Sequence, residues 1–173
     1  MPATWFYVVG GIVLGILVFT IAYNLITVTM IHAQKQTALT NFNNLHTNIE
    51  TVCLQEINNS MIVRLQIPLS VRVLYVTDDT KNLLPTVVER IKNKEVNTGR
   101  NLCMQFVDEQ TLRCRELTCN TSLPYLGSLP EQEDILIMVK KILGEALVKE
   151  YSLSIIKKTE EEVTVTTGKI IPV

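Results

Sequence analysis

Hydrophobic and polar positions fall into three regimes along this chain. From Trp5 to Ile31 there is no Asp, Glu, Lys or Arg, and the first such residue anywhere is Lys35. A helix rises ~1.5 Å per residue, so this run spans roughly 40 Å. The hydrocarbon core of a bilayer is only about 30 Å thick. The pattern predicts a transmembrane helix over residues 5–31, behind a short tail of residues 1–4. In the second regime, residues 32–57, Ala38, Phe42, Leu45, Ile49 and Val52 recur at spacings of four and three among Gln, Thr, Asn, His and Glu. That is one apolar stripe on a helix. No Pro or Gly interrupts from Leu17 to Ile57, so both regimes read as one rod of about 50 residues. The stripe needs a cover. Either the rest of the chain packs on it, or copies of the helix form a coiled-coil-like seam, for which about two heptads is short.

In the third regime, residues 58–173, the period drops to two. Met61, Val63, Leu65, Ile67 and Leu69 alternate with other residues, and Val71 to Thr77 follows a turn at Pro68 and Ser70. Both segments read as strands. Asp78-Asp79 then leads into a short helix through Leu84, Val87, Val88 and Ile91, closed by Asn97-Thr98-Gly99. Asn101 to Val107 and Gln110 to Leu117 read as a hairpin around Asp108-Glu109. A loop over residues 120–127 precedes a capping-box signature at Ser128-Leu129-Pro130-Glu131, and a second helix is expected from there to about Glu150. Tyr151 to Lys157 and Glu162 to Thr167 complete the strands. The predicted fold class is α+β: a long N-terminal transmembrane-plus-amphipathic helix, then a small antiparallel-sheet head with two helices.

Composition adds a compartment. The run 5–31 is too long for a signal peptide and has no basic residue before it, so it is expected to stay as a signal-anchor, with Trp5, Phe6 and Tyr7 as an interfacial belt. Between His32 and Val63 the only Lys or Arg is Lys35. Four cysteines, Cys53, Cys103, Cys114 and Cys119, all lie beyond the membrane run. A basic-poor flank and an even number of cysteines favour an oxidising side. The expected location is the cell membrane, single-pass, with the C-terminal head outside the cytoplasm. Asn58 and Asn120 open sequons and are candidate glycosylation sites. A two-residue hairpin loop would set Cys103 opposite Cys114, which leaves Cys53 for Cys119. The other pairings, free thiols and a metal site stay open at this stage.

Candidate interaction residues are structural. Gly11, Gly15 and Ala22 share one face of the membrane helix, where a second helix can approach closely, although glycine is common in such helices. Asn24 either meets a polar partner in lipid or sits near the interface. The net charge of −1 leaves no electrostatic footprint for nucleic acid. His32 and His46 have no motif partners. Cys103, Cys114 and Cys119 do not follow paired-CxxC zinc spacing, and no phosphate loop, GxSxG or HExxH is present. The expectation is a protein without catalytic residues, cofactor or metal.

A membrane helix that continues as an amphipathic helix into a small, β-rich, cysteine-bearing head resembles a type IV pilin or pilin-like protein, of the archaeal sort in particular. Such pilins carry a basic residue before the processing site and often an acidic residue early in the mature helix. This chain has neither near Gly10-Gly11 or in the apolar run. The resemblance therefore implies a pilin-like structural or interaction protein of the envelope that stays in the membrane. Its partners would be the lipid bilayer and other membrane-helix or pilin-like subunits, itself included. The competing expectation is a tethered accessory domain that binds another envelope protein or ligand without forming a filament.

Overall fold

A computed structural model describes residues 3–80, 87–127 and 148–168. The chain divides into two compact units, Met1–Ala33 and Gln34–Val173. The first is helical throughout its described residues and belongs to α1 (Ala3–Cys53). It is the one described helix long and apolar enough to cross a membrane. From Tyr7 to Ile31 its described side chains are exposed, Tyr7 at 82% and Phe19 at 73%.

The second unit, the head, holds the C-terminal part of α1 and a six-stranded sheet. The strands are β1 (Ser60–Pro68), β2 (Val71–Thr77), β3 (Val96–Phe106), β4 (Leu112–Pro124), β5 (Val148–Lys157) and β6 (Glu162–Thr167), with a short helix α2 (Val87–Lys92) between β2 and β3. The layout is α+β. The order across the sheet is β1-β5-β6-β4-β3-β2. All neighbours are antiparallel except β4 and β6, which run parallel through Asn120–Ser122 and Glu162–Thr164. The strands β1 and β2 are joined by only Leu69 and Ser70, yet they form the two outer edges. The sheet must therefore curl until its edges meet at that corner.

The helix fills the curl. Ala38, Phe42, Leu45, Ile49 and Val52 are buried in the main core with Leu65, Leu102, Phe106, Leu117, Leu153 and Ile155. The alternation read from the sequence is the reason: Met61, Val63, Leu65 and Ile67 of β1 all belong to or pack on this core, while Ile62, Arg64 and Gln66 stay exposed. A second, smaller cluster gathers Val73, Tyr75, Ile91, Cys103 and Tyr125. There the Tyr75 and Tyr125 rings stack 5.4 Å apart, and Arg90 Nη1 donates to the Tyr125 hydroxyl at 3.2 Å.

Several boundaries differ from the sequence reading. The helix α1 ends at Cys53, not Ile57: the Gln55 amide bonds Val52 O, three residues back, and Asn58 takes a left-handed φ of 69°. The residues 97–99 do not close α2. That helix stops at Lys92, and Lys94 takes a left-handed φ of 50° while the Glu95 amide bonds Arg90 O. Asn97 to Gly99 instead extend β3 against Leu123 to Thr121. Gly99 suits this pairing for steric reasons: a Cβ there would lie 2.6 Å from Thr77 Cα and 2.8 Å from Asp78 N. The strand β4 continues through the expected loop to Pro124, since β3 and β6 both pair with its second half. The β3–β4 connection spans residues 107–111, wider than two residues, but the register Cys103↔Cys114 is kept. The residues 148–150 belong to β5 rather than to a helix. The capping box, the helix expected over residues 129–147, Leu84 and the tail 169–173 lie outside the described residues.

Candidate functional site

The chemistry-bearing side chains of the head gather along the seam between α1 and the sheet. An edge strand leaves backbone donors and acceptors without partners, and each must find one. Here α1 supplies them. Asn41 Nδ2 donates to Gln66 O on the outer edge of β1 at 2.7 Å. Along the first half of β4, on the side that β3 does not pair, His46 Nε2 lies 2.8 Å from Glu116 O. A carbonyl only accepts, so Nε2 carries the proton. Glu50 Oε1 accepts from the Thr118 amide and Oε2 from the Thr118 hydroxyl, both at 2.8 Å. His46 and Glu50 are four apart on one helical face and reach positions two apart on the strand. The helix thus stands in for a missing strand at two places.

Both ends of the seam are fastened. At the N-terminal end Lys35 Nζ lies 2.6 Å from Asp108 Oδ2 and 3.1 Å from Glu109 Oε1. Arg113 also binds Glu109, at 3.1 Å. Lys35 and Arg113 lie 5.5 and 5.3 Å from the centroid of the Phe106 ring. The hydrogen bonds with Asp108 and then Glu109 raise the Lys35 pKa above its ordinary value. The same bonds hold Asp108 and Glu109 below the usual carboxylate range, with Arg113 adding to the effect on Glu109. At the C-terminal end Cys53 is bonded to Cys119, and Lys157 Nζ donates to Cys53 O at 2.7 Å and Gln55 O at 2.6 Å. A cation on the last carbonyls of a helix satisfies orphan acceptors and meets the negative end of its dipole.

Two hollows adjoin the seam. One of about 10 Å³, between Ala38, Phe42, Leu65, Leu74 and Met104, has room for one water at most. The other, about 320 Å³, is an open cleft lined by His46, Glu50, Glu116, Leu117 and Thr118. Its most reactive groups are committed: both Glu50 oxygens and His46 Nε2 hold backbone or hydroxyl partners. Among the described residues no three His, Cys, Asp or Glu side chains are grouped to hold a metal ion. Burial raises the pKa values of Tyr75 and Tyr151, and the Tyr151 hydroxyl donates to Gly127 O at 2.8 Å. These are core tyrosines with structural partners.

The residues singled out in the sequence fall into separate places. Cys103 is bonded to Cys114 across the β3–β4 ladder, away from the Cys53–Cys119 bond at the end of α1. Phe42, Leu45, Ile49 and Val52 are interior. Around Gly11 and Gly15 nothing lies within 4 Å of a built Cβ, and Ala22 is exposed. Asn58 is exposed in a turn with φ 69°. Asn120 is half-buried within β4, its amide bonded to Glu161 O. Asp78 does not begin a described helix; its Oδ1 accepts from the Arg100 amide at 2.9 Å. Lys35, Asn41, Glu50, Asp108, Glu109 and Lys157 were not singled out as site residues. In the sequence Lys35, Asn41 and Glu50 are polar positions on the helix that carries the stripe, Asp108 and Glu109 a hairpin turn and Lys157 a strand end, signals that ordinary solvent-facing residues share. The chain matches no protein-family model, no curated protein and no solved structure.

Proposed function

We propose that this chain is a membrane-anchored, pilin-like structural or interaction protein of the cell envelope, of the archaeal sort in outline, with its head outside the cytoplasm. One contrast carries the reading. The head covers its own apolar stripe, whereas seventeen large apolar side chains between Tyr7 and Ile31 are exposed. At roughly 1.5–3 kcal/mol for each buried side chain, leaving them in water would cost tens of kcal/mol. That exceeds the about 5–15 kcal/mol stability of a whole domain. Lipid or other apolar helices must cover them. The threonines of this stretch agree: Thr20, Thr27 and Thr29 donate to Ile16 O, Tyr23 O and Leu25 O at 2.8, 2.9 and 2.8 Å, so none of these three hydroxyls needs water. Two disulfides in the head suit an oxidising compartment.

A second reading, a tethered domain that binds an envelope partner without forming a filament, is favoured by the burial of Phe42, Leu45, Ile49 and Val52. That burial removes the surface a helical seam with other copies would use. A protease added outside intact cells tests the topology. Digestion beyond about residue 34 is expected, and a head protected until the membrane is opened would overturn it. Native electrophoresis from mild detergent separates the two readings. Higher oligomers lost on Gly11→Leu with Gly15→Leu support the subunit, and a monomer in both forms supports the tethered domain.

A further inference from the structure

We infer that Asn58 carries an N-linked saccharide that covers an apolar patch at the α1–β1 junction, and that Asn120 carries none. This rests on the head lying outside the cytoplasm, the side on which such transfer takes place.

Both asparagines open an Asn-x-Ser sequon, and the structure separates them. Residues 56–60, between α1 and β1, are all exposed. Asn58 holds a left-handed φ of 69°, which asparagine tolerates better than most residues. Backbone groups and Asn59 fasten the turn. The Asn58 amide donates to Lys157 O at 2.9 Å, the Asn59 amide to Glu56 O at 3.2 Å and the Ser60 amide to Asn59 Oδ1 at 3.1 Å. None of these bonds uses the Asn58 side-chain amide or the Ser60 hydroxyl. The other sequon runs through the middle of β4. Asn120–Ser122 pairs with Glu162–Thr164 of β6, while Thr121 and Ser122 also pair with Gly99 and Thr98 of β3. Asn120 and Ser122 are half-buried. Thr121 is fully buried, its hydroxyl donating to Cys119 O at 3.4 Å. A saccharide is bulky and belongs in solvent. Added before folding or after it, it fits the open turn and not the paired strand.

The surroundings of Asn58 give the saccharide a role. Among the described residues of the head, the exposed Leu and Ile side chains are Leu54 at 81%, Ile57 at 48% and Ile62 at 76%. All three lie within four positions of Asn58, hence within about 14 Å of it even along a fully extended chain. Beside them runs the outer edge of β1, which no described strand pairs. Grouped apolar side chains and an open strand edge both invite association. A saccharide rooted at Asn58 stands in the way of both, with the C–H faces of its rings on the apolar side chains and its hydroxyls in water. The transfer forms a bond from Asn58 Nδ2 to C1 of the first sugar. It breaks the bond from that C1 to the phosphate oxygen of a lipid-linked saccharide. Nδ2 loses one proton, and the lipid phosphate leaves with the electron pair.

The test uses the full chain isolated from the membranes of its own cells. Peptide mass mapping should find a saccharide mass on the peptide that holds Asn58 and none on the one that holds Asn120. Ser60→Ala should abolish that mass and Ser60→Thr should keep it. Hydroxyl-radical footprinting in the same membranes reads the cover: Ser60→Ala should raise the labelling of Leu54, Ile57 and Ile62 and leave that of Val96 unchanged. Thr159→Asn with Glu161→Thr supplies a control sequon in the exposed β5–β6 turn. An unmodified Asn58 beside a modified control overturns the inference and leaves the head outside. If neither is modified, protease added to intact cells decides. Digestion of the head then overturns this inference alone, and protection overturns the outside reading and this inference with it. A saccharide on Asn120 would overturn the selectivity, and unchanged labelling in the Ser60→Ala protein would overturn the cover.

Discussion

Lys157 closes the end of a helix that finishes at Cys53, 104 residues earlier, by donating to its carbonyl oxygen at 2.7 Å. The lysine is only 8% exposed. A cation is rarely buried without acceptors, and here the acceptors are Cys53 O, which α1 cannot satisfy within itself, and Gln55 O just beyond its end. The last strand pair and the end of α1 thereby become one cooperative piece.

Lys157→Met should therefore lower stability although it adds apolar surface. It leaves buried carbonyls without partners, worth about 1–3 kcal/mol. Thermal unfolding of the full chain in detergent, followed by near-ultraviolet circular dichroism, checks this. An unchanged midpoint would mean that water caps the helix equally well.

The clamp at Lys35 should make stability depend on pH at both extremes. The pKa values of Asp108 and Glu109 are depressed on folding, so their contribution is present above the ordinary carboxylate values and lost as pH falls through the lower, folded ones. The pKa of Lys35 is raised, so its contribution is present below the ordinary lysine value and lost as pH rises through the higher, folded one. The difference in midpoint between wild type and Lys35→Gln should be flat near neutral pH and shrink below about pH 4 and above about pH 10. A difference constant from acid to alkali would remove the clamp as its cause.

The two disulfides should contribute unequally. The bond Cys53–Cys119 closes 66 residues and Cys103–Cys114 closes 11. Chain entropy alone then assigns about 4 kcal/mol to the first and about 3 to the second. Replacing Cys53 and Cys119 by Ala should lower the midpoint more than replacing Cys103 and Cys114. Non-reducing peptide mapping of the wild type is the companion measurement, and a 53–103 linkage would contradict both.

The stripe and the membrane face should separate by mutation. Phe42→Asp with Ile49→Asp puts two carboxylates into a core where both residues are at most 4% exposed. Each is expected to cost upwards of about 4 kcal/mol, enough to unfold the head. Gly11→Leu with Gly15→Leu, where the surface is open, should leave its circular dichroism unchanged. A folded head carrying both aspartates would place the stripe against another molecule.

Sequence alone determined whatever depends on the order of neighbours along the chain. The charge-free run, the stripe from Ala38 to Val52 and the alternation in β1 are local periodicities, and each states which face of its element avoids water. The register of Cys103 against Cys114 was conditional in the sequence, because it rested on a two-residue loop; the structure keeps that register with a wider connection over residues 107–111. Tertiary structure alone decided which elements meet. Nothing in β1 or β2 marks them as the two edges of one sheet, and nothing in β4 and β6 announces a parallel pairing. Nor does any feature near Lys157 point to Cys53. Such pairings are chosen when the whole core closes, by whichever arrangement buries the apolar faces and leaves every strand edge and helix end a partner. Asn41, His46 and Glu50 take those roles only because the curled sheet brings Gln66, Glu116 and Thr118 to them.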